Sequence, residues 1–173
     1  ATPNIAGWNG VQLEAELTEL IKLPIVLEND ANAAAWGEAK FGAGIGKSNI
    51  LLLTIGTGIG GGIIVNGAPL EGDFGNAGYF GHTVVGDYDG GCNCGRIGCV
   101  ESYASGVSMV RYARNSGWHG EDFVALAESA RSGDAIAIEA INFGTEHLAK
   151  AVINISQIFD LHTVVVGGGV IES

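Results

Sequence analysis

The chain has 173 residues, of which 47% are hydrophobic and 16% charged, with a formal net charge of −11. The apolar fraction is enough for a core and excludes an intrinsically disordered chain. No apolar run approaches the roughly 20 residues that cross a bilayer, and 8 Lys+Arg against 19 Asp+Glu disfavours nucleic acid as a partner.

The first elements in chain order are predicted to be a helix and a short strand. An apolar stripe over Val11–Leu23 predicts the helix, with Asn9 as its cap and Gln12 at the capping-box position. Pro24 ends this helix, and the apolar run Ile25–Glu28 predicts the strand.

A second helix is predicted over the alanine-rich segment Ala31–Phe41, which Gly42 ends. Asn29 and Asp30 then lie at a strand-to-helix junction, where α/β folds place chemical groups. Asp30 is a candidate general base, since transfer to a neutral hydroxyl needs one within hydrogen-bond reach. The alternative is that Asp30 only caps the helix.

The middle of the chain is predicted to be a meander followed by a long loop. Strands are predicted at Asn49–Ile55 and Gly61–Val65, and the dipeptide Asn66-Gly67 is a strong hairpin signal before Ala68–Leu70. The glycine-rich segment Gly72–Gly98 has little periodicity, so we expect it to be functional or held by a staple.

The last part of the chain is predicted to be mainly helical. Helices are predicted at Glu101–Asn115, Phe123–Arg131 and Asp134–Ile158, followed by a buried strand at Thr163–Val166 that runs into Gly167-Gly168-Gly169. Strands followed by helices and a further strand indicate an α/β protein.

All three cysteines and one histidine form a candidate metal site. His82, Cys92, Cys94 and Cys99 supply the four ligands of a closed tetrahedral zinc site, which indicates a structural rather than a catalytic ion. The alternative is three unrelated buried thiols and a surface histidine. Three clustered cysteines also favour a reducing, cytoplasmic location over a secreted disulfide framework.

A second candidate site is the glycine run within Thr54–Gly62. Backbone N–H groups at Gly56, Gly58 and Gly60 can cradle phosphate oxygens, with the Thr57 hydroxyl as a further donor. A hairpin arm follows instead of a helix, which excludes a dinucleotide fingerprint. A tight turn without a ligand is the alternative, and Gly167, Gly168 and Gly169 repeat the pattern more weakly.

Together these motifs resemble the ROK family (repressors, open reading frames and kinases), and the wording is closest to actinobacterial-type glucokinases. The matching segments are Glu28–Ala34 for the catalytic segment, Leu53–Gly62 for the second phosphate motif, Val165–Val170 for the adenosine-side glycines and Gly81–Glu101 for the zinc signature.

The resemblance implies an actin/hexokinase-like ATPase (ribonuclease H-like) α/β fold in an incomplete two-lobed chain. Residues 1–46 would be a remnant of the N-terminal lobe and residues 47–173 the C-terminal lobe. It implies a hexose kinase that uses ATP and Mg²⁺, with Asp30 as base, Asn29 and Glu101 on the sugar, and His82 shared between zinc and sugar. A homodimer or homotetramer is also implied.

Two departures from the family pattern qualify this. Tyr79 stands where the family has a glutamate that contacts the sugar, in the segment Gly78–His82. The family's first phosphate loop, Asp-x-Gly-x-Thr, has no counterpart in this sequence. A sugar-sensing ROK transcriptional regulator and a catalytically inactive scaffold are the alternatives, and the sugar and the choice between ATP and polyphosphate stay open.

Overall fold

The computed structural model describes residues 10–173, which form seven helices, one 3₁₀ turn and one four-stranded sheet. None of the helices in this range is both long and apolar enough to span a bilayer. The elements in chain order are α1 (Leu13–Ile21), α2 (Asp30–Phe41), β1 (Ile50–Ile55), β2 (Ile59–Val65), β3 (Ala68–Pro69), the 3₁₀ turn (Phe80–His82), α3 (Val100–Ala104), α4 (Gly106–Asn115), α5 (Phe123–Arg131), α6 (Ala135–Phe159), β4 (Val164–Gly167) and α7 (Gly169–Glu172).

The sheet has the order β3-β2-β1-β4, with β1 antiparallel to β2 and parallel to β4. Thr54 pairs with Gly60 on one side and with Gly167 on the other. The glycines that follow β1 and β4 therefore meet at one edge of the sheet. In α/β folds the carboxyl ends of parallel strands form the ligand-binding edge.

Alternating side chains of β1 pack on opposite faces of the sheet, as the two-residue period of a strand requires. Leu51 and Leu53 join a core cluster with α3 and α6, whereas Ile50 and Leu52 pack towards α2. Helix α2 lies so close to β2 that a Cβ on Gly62 would come within 2.5 Å of the Ala35 Cβ. This packing fixes the start of α2 at the sheet edge.

A second cluster joins α4, α5 and α6 away from the sheet, around the buried Met109, Trp118 and Leu126. Helix α3 packs on the sheet through Val100, Tyr103 and Ala104, and α6 contributes residues to both clusters.

The predicted meander is confirmed. β1 and β2 match the predicted strands to within two residues, and the hairpin turns at Asn66 and Gly67, whose φ angles of 53° and 77° belong to a two-residue turn. The predicted strand Thr163–Val166 is also present, as β4, but it is not buried as predicted, since Val164 and Val166 are 37% and 42% exposed.

Two predictions in the first part of the chain are corrected. Helix α1 begins at Leu13 with Gln12 as its N-cap, and Gln12 makes no side-chain cap bond; Asn9 lies outside the described residues. The strand predicted at Ile25–Glu28 is wrong, since this segment pairs with no other strand within residues 10–173. Val26 is 88% exposed, so this apolar side chain is not buried in the structure.

The single helix predicted at Glu101–Asn115 is two helices. The chain turns at Ser105, whose ψ is 153°, and the Ser105 side chain accepts a hydrogen bond from the Ser108 backbone N–H. A serine followed by a glycine favours a new helix start over a continuous helix. The break directs the N-terminus of α4 towards the glycine run after β1.

Candidate active site

A cleft of about 420 Å³ lies at the carboxyl-end edge of the sheet. It brings together residues from distant parts of the chain. They are Asn29, Asp30 and Ala31 at the start of α2, Thr54–Gly61 between β1 and β2, Tyr79 and His82 at the 3₁₀ turn, Glu101 in α3, and Gly168 after β4.

Asp30 is the first residue of α2, and its neighbour Asn29 is the helix cap. The Asn29 Oδ1 accepts hydrogen bonds from the backbone N–H groups of Ala31 at 3.0 Å and Asn32 at 3.2 Å. Asp30 is exposed, and in this structure its carboxylate accepts only from the Ala31 N–H, at 2.9 Å. The helix start therefore does not depend on Asp30.

Glu28, to which the sequence analysis assigned no role, fixes this junction. Its Oε1 accepts a hydrogen bond from the Asn29 N–H at 2.7 Å and another from the Asn32 Nδ2 at 3.2 Å. Asn32 is only 6% exposed, so without the bond to Glu28 its side-chain NH₂ group would be buried and unpaired. The pair orients the backbone that presents Asn29 and Asp30 to the cleft.

The glycine run between β1 and β2 is tied to the two helices behind it. The Gly106 N–H at the start of α4 donates to the Gly56 carbonyl at 2.9 Å. The Ile59 N–H donates to the Glu101 Oε2, also at 2.9 Å. Thr57, between these ties, is exposed. The Gly56 N–H, which was predicted to bind phosphate, donates instead to the Gly58 carbonyl at 2.9 Å. Glu101 lies in the cleft as predicted, but one of its oxygens already holds the glycine run.

The three glycines at the end of β4 and after it do not lie together in one site. Gly168 lines the cleft with φ +102°, and a side chain there would collide with the Ile55 backbone. Gly169 lines a neighbouring, larger cleft. Gly167 is the last residue of β4, paired with Thr54, and lines neither of these clefts.

The larger cleft, of about 770 Å³, shares Gly56 and Thr57 with the first. Its walls include apolar side chains such as Val107, Val110 and Phe123, and two guanidinium groups, Arg111 and Arg114. The Arg114 side chain donates to the carbonyls of Gly120 and Glu121, so it holds the loop before α5. An apolar cleft beside a glycine run suits a ligand with both a flat and a charged part.

The four predicted metal ligands form a compact cluster beside the cleft, with ligand atoms all within 4.8 Å of one another. His82 Nδ1 lies 3.4 Å from Cys92 Sγ, Cys92 Sγ lies 3.4 Å from Cys94 Sγ, and Cys94 Sγ lies 3.5 Å from Cys99 Sγ. Zinc–sulfur bonds of about 2.3 Å in a tetrahedron separate two sulfurs by roughly 3.8 Å. The donor set and its spacing therefore fit a zinc ion.

The three thiols of this cluster differ in acidity. Burial raises the pKa of Cys99 to about 12 and also raises the pKa of Cys92. Hydrogen bonding from the Arg96 backbone lowers the pKa of the exposed Cys94 to about 6. A divalent cation stabilises thiolates, so metal binding would release protons from the thiols of Cys92 and Cys99.

Tyr79 and His82 lie on the same 3₁₀ turn, three residues apart, where side chains eclipse. Their rings are nearly parallel, with an interplanar angle of 14° and centroids 6.2 Å apart. Tyr79 is 48% exposed and lines the cleft. His82 also lines the cleft while its Nδ1 faces Cys92, so the metal cluster and the cleft share this side chain.

An aromatic cluster that the sequence analysis did not anticipate holds the loop that carries the metal ligands. The Tyr88 N–H donates to the Tyr103 hydroxyl at 2.8 Å, and the Tyr88 ring packs edge-on against Phe143 of α6 at 5.4 Å. Tyr103 stacks on His147 with centroids 3.9 Å apart. The loop thus has an anchor to α3 and α6 besides the metal cluster.

Comparison with known proteins agrees with this geometry. The ROK family profile matches residues 1–173. The chain is 38% identical to a glucokinase of Halalkalibacterium halodurans, 37% to a glucokinase of Streptomyces coelicolor and 38% to an N-acetylmannosamine kinase of Yersinia pestis. These matches cover 95%, 96% and 96% of this chain, but only 54%, 58% and 57% of the relatives, so the chain spans little more than half their length.

Solved structures show the same likeness. A ROK hexokinase from Thermus thermophilus superposes with a TM-score of 0.91 at 34% identity, over 99% of this chain and 58% of that one. A ROK glucokinase from Streptomyces griseus, solved with glucose and AMPPNP, gives 0.80 at 38% identity over 92% and 57%. A ROK transcriptional regulator gives 0.78 at 27% identity over 92% and 43%.

The fold is that of an α/β protein of the actin/hexokinase-like ATPase class, as the resemblance implied. The chain belongs to the ROK family. The resemblance to actinobacterial-type glucokinases is likewise confirmed. The proposed division into lobes after residue 46 stays a prediction, although α2 packs directly on the sheet.

Proposed function

We propose that this chain carries the phosphoryl-acceptor site of a sugar kinase that transfers the γ-phosphate of ATP to a hexose hydroxyl. The observation that supports it best is the single cleft shared by the Asp30 carboxylate and the glycine run around Thr57. Phosphoryl transfer needs an activated hydroxyl and phosphate-binding donors within one site. The likeness to glucokinases supports the same assignment.

In this proposal Asp30 accepts the proton of the sugar hydroxyl as that oxygen attacks the γ-phosphorus. Its carboxylate is exposed and is not needed to cap α2, because Asn29 does that. Asn29, His82 and Glu101 would bind the other sugar hydroxyls. Most of the rate enhancement would come from positioning and electrostatics, as is general for this reaction.

The phosphoryl donor, ATP, would lie across the two clefts that share Gly56 and Thr57. The glycine run, with Gly58 and Gly60, would place backbone N–H groups and the Thr57 hydroxyl near the phosphates. The nucleoside would occupy the larger cleft, beside Gly169. Magnesium, when bound with the nucleotide, would offset phosphate charge; since Glu101 is tied to Ile59, the residues of this cleft do not by themselves form a magnesium cage.

Zinc is proposed as a structural ion held by His82, Cys92, Cys94 and Cys99. The compact donor set supports this. Four protein ligands leave no open coordination position, so the ion would supply rigidity rather than chemistry. It would fix the orientation of His82 and thereby the wall of the sugar cleft.

The sugar is not defined by the relatives, which include glucokinases and an N-acetylmannosamine kinase. Tyr79 lines the cleft with a phenol ring instead of a carboxylate. A phenol offers one donor-acceptor oxygen and a flat apolar face. We therefore expect glucose to bind more weakly than it would to a chain with glutamate at this position.

Sugar-dependent phosphoryl transfer tests the proposal. ADP formation from ATP is measured with glucose, mannose and N-acetylmannosamine in a protein that joins this chain to an Asp-x-Gly-x-Thr phosphate loop, and binding of each sugar is followed by calorimetry. We expect saturable binding of at least one sugar and ADP formation that requires it. The proposal fails if no sugar binds the purified, zinc-loaded protein.

A sugar-sensing regulator is the second candidate, because a ROK transcriptional regulator shares this fold at 27% identity. Such a protein needs the sugar site but no phosphoryl transfer. Sugar binding without sugar-dependent ADP formation would favour the regulator over the kinase.

A further inference from the structure

A third cavity, of about 150 Å³, lies between the start of α4, the loop of metal ligands and the glycine run. It shares Thr57 with both larger clefts. Its wall includes three serines at the α3–α4 junction, Ser102, Ser105 and Ser108, together with Arg111 of α4. All three serines are buried.

Two polar atoms of this wall have no hydrogen-bond partner within residues 10–173. They are the Ser102 hydroxyl, in a residue that is 2% exposed, and the buried Arg111 Nε. An unpaired buried polar group costs roughly 1–3 kcal/mol, and more if charged. Because both residues line the same small cavity, we infer that an acceptor group belongs there.

The other polar groups of the wall already form hydrogen bonds with one another. Ser105 Oγ donates to Ser108 Oγ at 2.8 Å, and Arg111 Nη2 donates to the same oxygen at 3.0 Å. No carboxylate lies within 4 Å of the Arg111 guanidinium in the described part of the chain. The chain has a net charge of −11, yet no carboxylate neutralises this guanidinium, so Arg111 can attract an anionic ligand.

Two acidic groups share the wall, Glu101 and Cys92. The Glu101 Oε2 is engaged by the Ile59 N–H, and its Oε1 lies 3.9 Å from Cys92 Sγ. A fully ionised anion would be repelled by this carboxylate, whereas an oxyanion that keeps one O–H group can donate to it. The wall thus offers both donors and an acceptor.

We propose that this cavity is a binding site for a tetrahedral oxyanion of the phosphate class, held by Arg111 and Ser102 beside the N-terminus of the ten-residue helix α4. The helix dipole adds to the attraction. Free inorganic phosphate and the phosphoryl group of a nucleotide or sugar phosphate share this chemistry. The site does not depend on the proposed kinase activity.

The probe is inorganic phosphate, titrated into the zinc-loaded protein by calorimetry and by ³¹P line broadening at near-neutral pH. One saturable site per chain is expected, with a rise in melting temperature. Arg111→Met should weaken binding by about 10- to 100-fold, and Ser102→Ala by roughly two- to tenfold. Arg111→Lys keeps the charge but loses the forked donor geometry, so about tenfold weaker binding is expected.

Lys150→Met is the matched control, because it removes a positive charge that pairs with Glu146 on the exposed face of α6. It should leave phosphate affinity unchanged. Circular dichroism without phosphate shows which variants are folded, and Arg111→Lys decides the matter if Arg111→Met does not fold.

The source of the anion is read from competition. Displacement of inorganic phosphate by AMPPNP or by glucose 6-phosphate would assign the site to a phosphoryl group of the reaction, whereas simultaneous binding would assign it to free phosphate. Both results support the site. Absence of saturable phosphate binding, or equal affinity in Arg111→Lys and the unchanged chain, would overturn it, and neither readout involves sugar or turnover.

Discussion

At the residue scale, the proposed role of Asp30 as base can be tested separately from folding, because Asn29 holds the cap of α2. Asp30→Asn should therefore keep sugar affinity and melting temperature. In a full-length context that also carries the Asp-x-Gly-x-Thr loop, turnover should fall by roughly two to four orders of magnitude through loss of the base. Steady-state kinetics and calorimetry on the same preparation measure both effects.

The control for this variant is Asp73→Asn, which alters an exposed carboxylate that lines none of the three cavities. It should change neither turnover nor sugar affinity. If Asp30→Asn retained near-normal turnover, Asp30 would have no part in proton transfer.

Tyr79, which lines the cleft, tests the proposed choice of sugar. Tyr79→Glu introduces a carboxylate into the cleft, and charge-assisted hydrogen bonds contribute about 1.5–3 kcal/mol. Glucose binding should become tighter by about tenfold or more. Calorimetric titration of both forms with glucose, mannose and N-acetylated hexosamines measures this, with Phe74→Glu as a control because Phe74 is exposed and outside the cleft. Equal glucose affinity in both forms would remove Tyr79 from the sugar site.

At the scale of elements, the contact between α2 and β2 depends on the absence of a side chain at Gly62. A methyl group there would lie 2.5 Å from the Ala35 Cβ and 2.7 Å from the Ala31 carbonyl, so Gly62→Ala should cost about 1–3 kcal/mol of unfolding free energy. Since α2 carries Asp30, turnover should also fall. Urea unfolding followed by circular dichroism measures the loss.

Gly37→Ala offers the matched comparison within α2 itself. A Cβ at Gly37 meets no atom within 4 Å, and the position is inside a helix. The same substitution should therefore stabilise the protein, by about 0.5–1 kcal/mol, through higher helix propensity. Equal effects at Gly37 and Gly62 would show that helix packing does not set the position of α2.

Elements governed by local patterns could be predicted from the sequence, whereas those that depend on distant partners could not. The turn at Asn66 and Gly67 follows from backbone preferences of adjacent residues. The segment Ile25–Glu28 has the composition of a strand, but a strand exists only with a ladder partner, which composition does not reveal. The break at Ser105 was missed because helix periodicity continues through it.

The candidate site shows the same division. The four proposed metal ligands could be grouped from the sequence because three of them lie within eight residues, and His82 is near. The hydrogen bond between Glu101 and Ile59 joins residues 42 positions apart, so no local sequence motif predicts it. The cap on Asn29 instead of Asp30 was within reach of the sequence, since both residue types cap helices.

At the scale of the whole molecule, the metal loop is held by both the ligand cluster and the aromatic cluster around Tyr88 and Tyr103. Cys94→Ser should reduce zinc content from about one equivalent per chain and lower the melting temperature. The helical core should remain folded, because Phe143 and Tyr103 pack independently of the metal. Metal analysis and calorimetric melting measure this, and unchanged zinc content would contradict the ligand assignment.

Acidification should release the metal, since Cys92 and Cys99, whose pKa values are raised, bind it only as thiolates. Affinity should therefore rise with pH and fall as pH is lowered, because protons compete with the ion. Zinc titrations with a chromophoric competitor at several pH values measure the trend. A pH-independent affinity would mean that the thiols are not ligands.

The hydrogen bonds from the glycine run to α3 and α4 would affect both the rate and the affinity with which the proposed phosphoryl donor binds. The segment Gly56–Ile59 is anchored at one end by the Gly106 N–H and at the other by Glu101. Glycines are the residues with most conformational freedom to lose, and here that loss occurs when the chain folds. Association with a phosphate chain then requires little further ordering of this segment, so its donors are preorganised before the ligand arrives.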